Sequence, residues 1–195
     1  ICDTGLFDSR VPAITTTLRG LLGEEITIVG PNKDLHSGLY GGASINPIRV
    51  LSRILASLHD ENGRITIPGF YEGVPELSDT LKRQWVALGF DHNAFLEGVG
   101  LSVLAGEKGD SALEMLWSQP TCEINGIIGG YTGDGFKTVL PNQASAKISF
   151  RLVGYQDPQE IRKNLRQMIE SMLPPDCSVS YKSHGASGGI VMSTE

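Results

Sequence analysis

Four histidines, one arginine inside a strongly alternating segment, three cysteines and a glycine-rich run are the residues here whose types and spacing could do chemistry. His36, His59, His92 and His184 form no His-x-x-x-His pair and no Cys/His pair at metal-ligand spacing. His59 closes a helical pattern, where a cation suits the helix dipole. His92 opens a polar turn. His36 lies in Asp34-Leu35-His36-Ser37-Gly38, a loop between a strand and a helix. Scaffolds often mount functional side chains in such loops, and an ordinary surface histidine is the competing reading. Arg151 sits where the opposite strand face is wholly apolar. It belongs to a solvated face shared with Lys147, or it is a guanidinium fork awaiting a carboxylate.

The run Gly129-Gly130-Tyr131-Thr132-Gly133-Asp134-Gly135-Phe136-Lys137-Thr138 invites comparison with a phosphate-binding loop. Phe136 separates the glycine from Lys137, where that motif needs them adjacent, and Val139-Leu140-Pro141 cannot open a helix. Nucleotide binding is rejected in favour of an inter-strand connection. No Gly-x-Ser-x-Gly nucleophile elbow is present. Cys2, Cys122 and Cys177 are odd in number and widely spaced, which fits idle thiols and a reducing cytoplasm better than a disulfide framework.

The elements that must position these residues read clearly. Residues 11–35 are extended, with Ala13–Leu18 rich in β-branched residues and Ile26-Thr27-Ile28 alternating. Asn46 and Pro47 open a helix with Ile48, Leu51, Leu55 and Leu58 on one stripe, and Gly63 is expected to stop it. Residues 62–120 read as an irregular helical insertion, with short helices at 77–88, 92–96 and 111–117. Trp85, Phe90, Phe95 and Trp117 are expected to form its satellite core. Cys122–Ile128 is a strand. From Gln143 to Val153, Ala144, Ala146, Ile148, Phe150 and Leu152 point one way and the polar residues the other. Asp157-Pro158-Gln159-Glu160 starts a second helix, with Ile161, Leu165, Met168 and Met172 inward and Pro174-Pro175 at its end. Ser178–His184 is the last strand. Without the insertion the order is strand, helix, strand, strand, helix, strand, the split βαβ pattern of an α+β ferredoxin-like sandwich.

The 195 residues carry 16 Lys plus Arg against 22 Asp plus Glu, a net charge of −6 that argues against a nucleic-acid partner. No apolar run is long enough for a membrane helix. The chain opens Ile1-Cys2-Asp3, without Met, and is expected to be cut from a longer protein.

Several stretches, in order, resemble the carnosinase-type branch of the zinc-dependent aminoacylase, acetylornithine deacetylase and dipeptidase family. They are Ile1–Thr4, Pro12–Thr15 with Arg19-Gly20, Asp34–Gly38 with Gly41-Gly42, Ile67–Tyr71, Lys137–Pro141 and Ala146–Val153. The resemblance implies a lid or dimerisation domain inserted in a metal-binding catalytic domain. Residues 1–12 would then be the end of a catalytic strand and a linker, 13–185 the lid, and 186–195 the return linker. It further implies that Asp3 ligates one of two zinc ions that the fragment itself does not hold. His36 would reach into the partner subunit's active site to stabilise an oxyanion, while Thr138 and Arg151 would bind substrate, Arg151 through its terminal carboxylate.

The implied partners are the chain's own catalytic domain, a second copy of the chain and a small peptide. The activity would be zinc-dependent hydrolysis of dipeptides or related N-acyl amino acid amides in the cytoplasm, with the fragment inactive alone. The alternative is a stand-alone ferredoxin-like binding or regulatory module in which the histidine and arginine are incidental.

Overall fold

The computed structural model describes Phe7 and residues 13–192, so Asp3 and Cys2 lie outside the described residues. The strands are β1 (Thr17–Leu18), β2 (Gly20–Val29), β3 (Leu35–His36), β4 (Thr121–Gly129), β5 (Val139–Leu140), β6 (Gln143–Leu152), β7 (Ser178–Ser187) and β8 (Ile190–Val191). The helices are α1 (Ser37–Tyr40), α2 (Pro47–Ala56), α3 (Asp79–Ala87), α4 (His92–Glu97), α5 (Ala112–Trp117) and α6 (Pro158–Ser171). The main sheet is antiparallel with order β4-β6-β2-β7, and α2 and α6 pack on one face, as the ferredoxin-like reading expects. Two short pairings, β1 with β8 and β3 with β5, extend its ends.

Alternation builds the core. In β6 the residues Ala144, Ala146, Ile148, Phe150 and Leu152 are buried, and in β2 Leu22, Ile26 and Ile28 join them. They meet Val50, Leu51, Ile54 and Leu55 of α2 and Ile161, Leu165 and Ile169 of α6. Asn46 accepts from the Ile48 N–H at 2.9 Å and Asp157 from the Gln159 N–H at 2.8 Å, so both sandwich helices start on side-chain caps. Met168 and Met172 are only partly buried, and Ile169 takes the central inward place on α6.

Three local expectations are corrected. Helix α2 ends at Ala56, where the Ser57 hydroxyl donates to the Ile54 carbonyl at 2.8 Å; Gly63 instead sits in a later turn at φ +80°. His59 therefore lies beyond the helix, in a bridge with Ile65, and gains nothing from the dipole. Strand β7 runs to Ser187 rather than His184. The insertion's helices fall close to the expected spans, and Trp85 stacks edge-on against Trp117 at 5.2 Å between centroids while Phe90 and Phe95 lie 5.5 Å apart. Its first residues are not separate from the sandwich, because Ile65, Ile67 and Phe70 belong to the main core.

One charge is buried under α6. Glu24 replaces an apolar residue in the inward row of β2, 1% exposed, and receives Arg162 Nε at 2.9 Å and Arg166 Nε at 3.1 Å. Arg162 and Arg166 are four apart on one helix face, so a single carboxylate fixes α6 to the centre of the sheet.

Candidate functional site

The β3–β5 pairing sets Leu35 opposite Leu140 and His36 opposite Val139, which carries His36 beside Thr138. The Ser37 N–H donates to the Thr138 carbonyl at 2.9 Å, and the Asn142 N–H donates to Asp34 Oδ1 at 2.9 Å. His36 caps α1: its Nδ1 accepts the Gly38 N–H at 3.0 Å. A nitrogen that accepts carries a lone pair, so the neutral imidazole holds its proton on Nε2. Nε2 lies 3.1 Å from Thr138 Oγ1. In that tautomer it donates to the hydroxyl, whose own proton is then free for an outside acceptor.

Gly38 makes this arrangement possible. A Cβ there would lie 2.8 Å from His36 Cε1, so any larger residue displaces the ring. His36, Thr138 and Phe136 line an open concavity of about 480 Å³, with Phe136 88% exposed on its wall. The ring of Tyr131 lies under Lys137 Nζ at 4.4 Å, and its hydroxyl donates to the Asp134 carbonyl at 2.7 Å, which shapes the glycine-rich connection leading to Thr138. Another concavity, about 370 Å³ and lined by Trp85, Val86 and Phe90, belongs to the satellite core and contains none of the expected site residues.

Arg151 is elsewhere. The His36–Thr138 pair adjoins the Gln143 end of β6, while Arg151 is eight residues along, opposite Thr121 of β4 and Leu21 of β2. Eight residues of strand measure about 26 Å. Within one chain the fold thus joins two of the three expected lid residues and separates the third.

At its own end Arg151 faces outward with no carboxylate in an ion pair among the described residues. The nearby Arg19 guanidinium is held below its usual range, first by burial and then by the charge of Arg151. His184 pairs with Glu25 at 3.2 Å, and burial pushes the Cys122 thiol up to about 12, which makes it inert.

The described residues contain no group of three or more His, Cys, Asp or Glu that could hold a metal ion. No helix among them is long and apolar enough to cross a membrane. Sequence reasoning missed Gly38, whose signal was a glycine two residues after a loop histidine. It also gave Arg19, the residue before β2, no role.

Residues 16–177 match a family described as a peptidase dimerisation domain. The Cys-Gly metallodipeptidase of Schizosaccharomyces pombe is 31% identical over 169 residues, covering 87% of this chain and 36% of its own length. The human Beta-Ala-His dipeptidase is 29% identical over 172 residues, 88% of this chain and 34% of its own. The crystal structure of human carnosine dipeptidase 1 superposes with a TM-score of 0.82 at 25% identity, covering 93% of this chain and 39% of that one. A metallo-carboxypeptidase from Sulfolobus solfataricus gives 0.78 at 31% identity, with 90% and 39% covered. This chain therefore spans little more than a third of the length of these relatives.

Proposed function

We propose a function from one premise: this chain belongs to the peptidase dimerisation domain family. It is the lid and dimerisation domain of a metal-dependent dipeptidase, with zinc as the metal. The domain runs over 13–185, entered from the catalytic domain through 1–12 and left through 186–195. The metal is held by the catalytic domain, with Asp3 as one ligand, and supplies the activated water. The cytoplasm is its compartment. The lid's own residues act on the peptide: the Thr138 hydroxyl, its proton freed by the bond from His36 Nε2, donates to the carbonyl oxygen as negative charge develops, His36 stabilises that charge through Thr138, and Arg151 holds the terminal carboxylate in its fork. The lid alone hydrolyses nothing.

The observation that carries this reading is the separation of about 26 Å along β6. A dipeptide is about 7 Å long when extended, so it cannot touch His36 and Arg151 of the same chain. The two ends must serve one site from two chains.

The sheet's edges say how. Strand β7 exposes Ser178, Ser180, Lys182 and His184, a polar edge that resists pairing, whereas β4 exposes Ile124, Ile127 and Ile128. Antiparallel addition of β4 to its copy about a two-fold axis sets the Gly129 end of one strand beside the Thr121 end of the other. Gly129 pairs with Ala144, next to the His36–Thr138 end, and Thr121 pairs with Arg151. The donors of one chain then lie two to three strand spacings, about 10–15 Å, from the arginine of its partner. Substrate and side chains fill that gap.

Kinetics of the full-length enzyme test the roles. His36→Ala is expected to lower kcat by about a hundredfold or more with little change in KM. Arg151→Ala is expected to raise KM for substrates with a free carboxylate by about tenfold and to matter less for their amides. Wild-type kinetics in both variants would return the chain to the alternative, a binding module whose histidine and arginine are incidental.

A further inference from the structure

The arginine end of the sheet holds a second guanidinium. Arg19 is the residue before β2, whose first residue Gly20 pairs with Leu152, the chain neighbour of Arg151, and both arginines are exposed. Its backbone is therefore near that of Arg151, within reach of two long side chains. Burial first, and the charge of Arg151 after it, hold the Arg19 guanidinium below its usual range. Among the described residues neither arginine takes part in an ion pair, although the same face pairs Glu25 with His184. Two like charges thus stand near each other at one end of the sheet, an arrangement an arriving anion relieves.

We propose that Arg19 completes a two-guanidinium receptor with Arg151 for the terminal carboxylate of the peptide, and so sets the enzyme's preference for free over amidated C-termini. A carboxylate offers about four lone-pair positions on two oxygens. One guanidinium fork fills two of them, and the second arginine takes those that remain. Thr121, opposite Arg151, adds a neutral hydroxyl on the same face. Replacing the acid by an amide removes the charge both arginines answer, so the discrimination belongs to the pair rather than to Arg151 alone.

This inference rests on the reading of Arg151 as a carboxylate holder, and one experiment separates the two. In the full-length enzyme, kcat/KM is measured for a dipeptide and its C-terminal amide in wild type, Arg19→Ala, Arg19→Lys, Arg151→Ala and the double alanine variant. Arg19→Ala is expected to cut the acid-over-amide preference about tenfold, and Arg19→Lys less, since charge survives but the fork does not. The double variant is expected to lose less than the product of the single losses, because both act on one group. Equal losses on acid and amide for Arg19→Ala, as an ion pair to the catalytic domain would give, overturn the inference. So does an unchanged Arg19→Ala beside a discriminating Arg151→Ala. If Arg151→Ala itself fails to discriminate, the reading of Arg151 falls, and this inference with it.

Discussion

The two ends of β6 are built on opposite plans. At the Gln143 end both ring nitrogens of His36 are already bonded, to the Gly38 N–H and to Thr138, and the Asn142 N–H is held by Asp34. At the other end Arg151 and Arg19 stand close together without a counter-ion among the described residues. The first end is finished by folding, as a preorganised donor should be. The second is left for a ligand to complete. They lie at opposite ends of one strand, so on the proposed reading association, not folding, brings the two together.

Whatever fixes the strand to its helices should disturb both ends at once. Glu24→Ala leaves Arg162 and Arg166 facing an empty place under α6, and is expected to destabilise the protein by about 3–5 kcal/mol in denaturant unfolding, the size found when one partner of a buried pair is removed. Loss of donor and carboxylate functions should track that unfolding together. A variant that unfolds early yet keeps one function would break the symmetry of the account.

The next largest effect comes from the edge. Ile127→Lys with Ile128→Lys puts two charges on β4, a device by which natural sheets block strand addition. The folded variant is expected to sediment as a monomer and to lose about a hundredfold or more in turnover, as if every His36 had been removed. A fully active monomer would show that each chain completes its own site.

A smaller change should touch one end alone. Gly38→Ala crowds the His36 ring without removing it, and is expected to lower kcat by about tenfold while leaving KM and the preference for a free carboxylate in place. Matching losses at the arginine end would contradict the independence of the two ends.

Much of this architecture was legible because it follows from period. The strict alternation of β6 gave its buried row, and Asn46-Pro47 and Asp157-Pro158 marked both sandwich helices through caps that the structure makes. Helix α2 stopped seven residues before Gly63 because a serine hydroxyl at Ser57 closed it, a stop weaker in sequence than glycine. Glu24 was given no role in the sequence, since its meaning depends on two arginines 138 and 142 positions away. His36, Thr138 and Arg151 could each be singled out, His36 and Arg151 by type and setting and all three by family resemblance. Their distances could not, because strand register and not sequence spacing decides that Thr138 meets His36 across 102 positions while Arg151, 13 residues from Thr138, stays remote. The tautomer of His36 likewise needed the Gly38 N–H to be seen.

The central claim is that one site draws its donors from one chain and its arginine from the other, and a mixed dimer tests it directly. Full-length His36→Ala and Arg151→Ala chains, each with a different affinity tag, are co-expressed and the dimer carrying both tags is isolated. One of its two sites then combines the intact arginine of the first chain with the intact histidine of the second, while the other site lacks both. The account predicts that this dimer recovers about half of the wild-type activity on a dipeptide, although either variant alone is impaired. A mixed dimer no more active than the separate variants would mean that both groups serve the same chain, and would contradict the account.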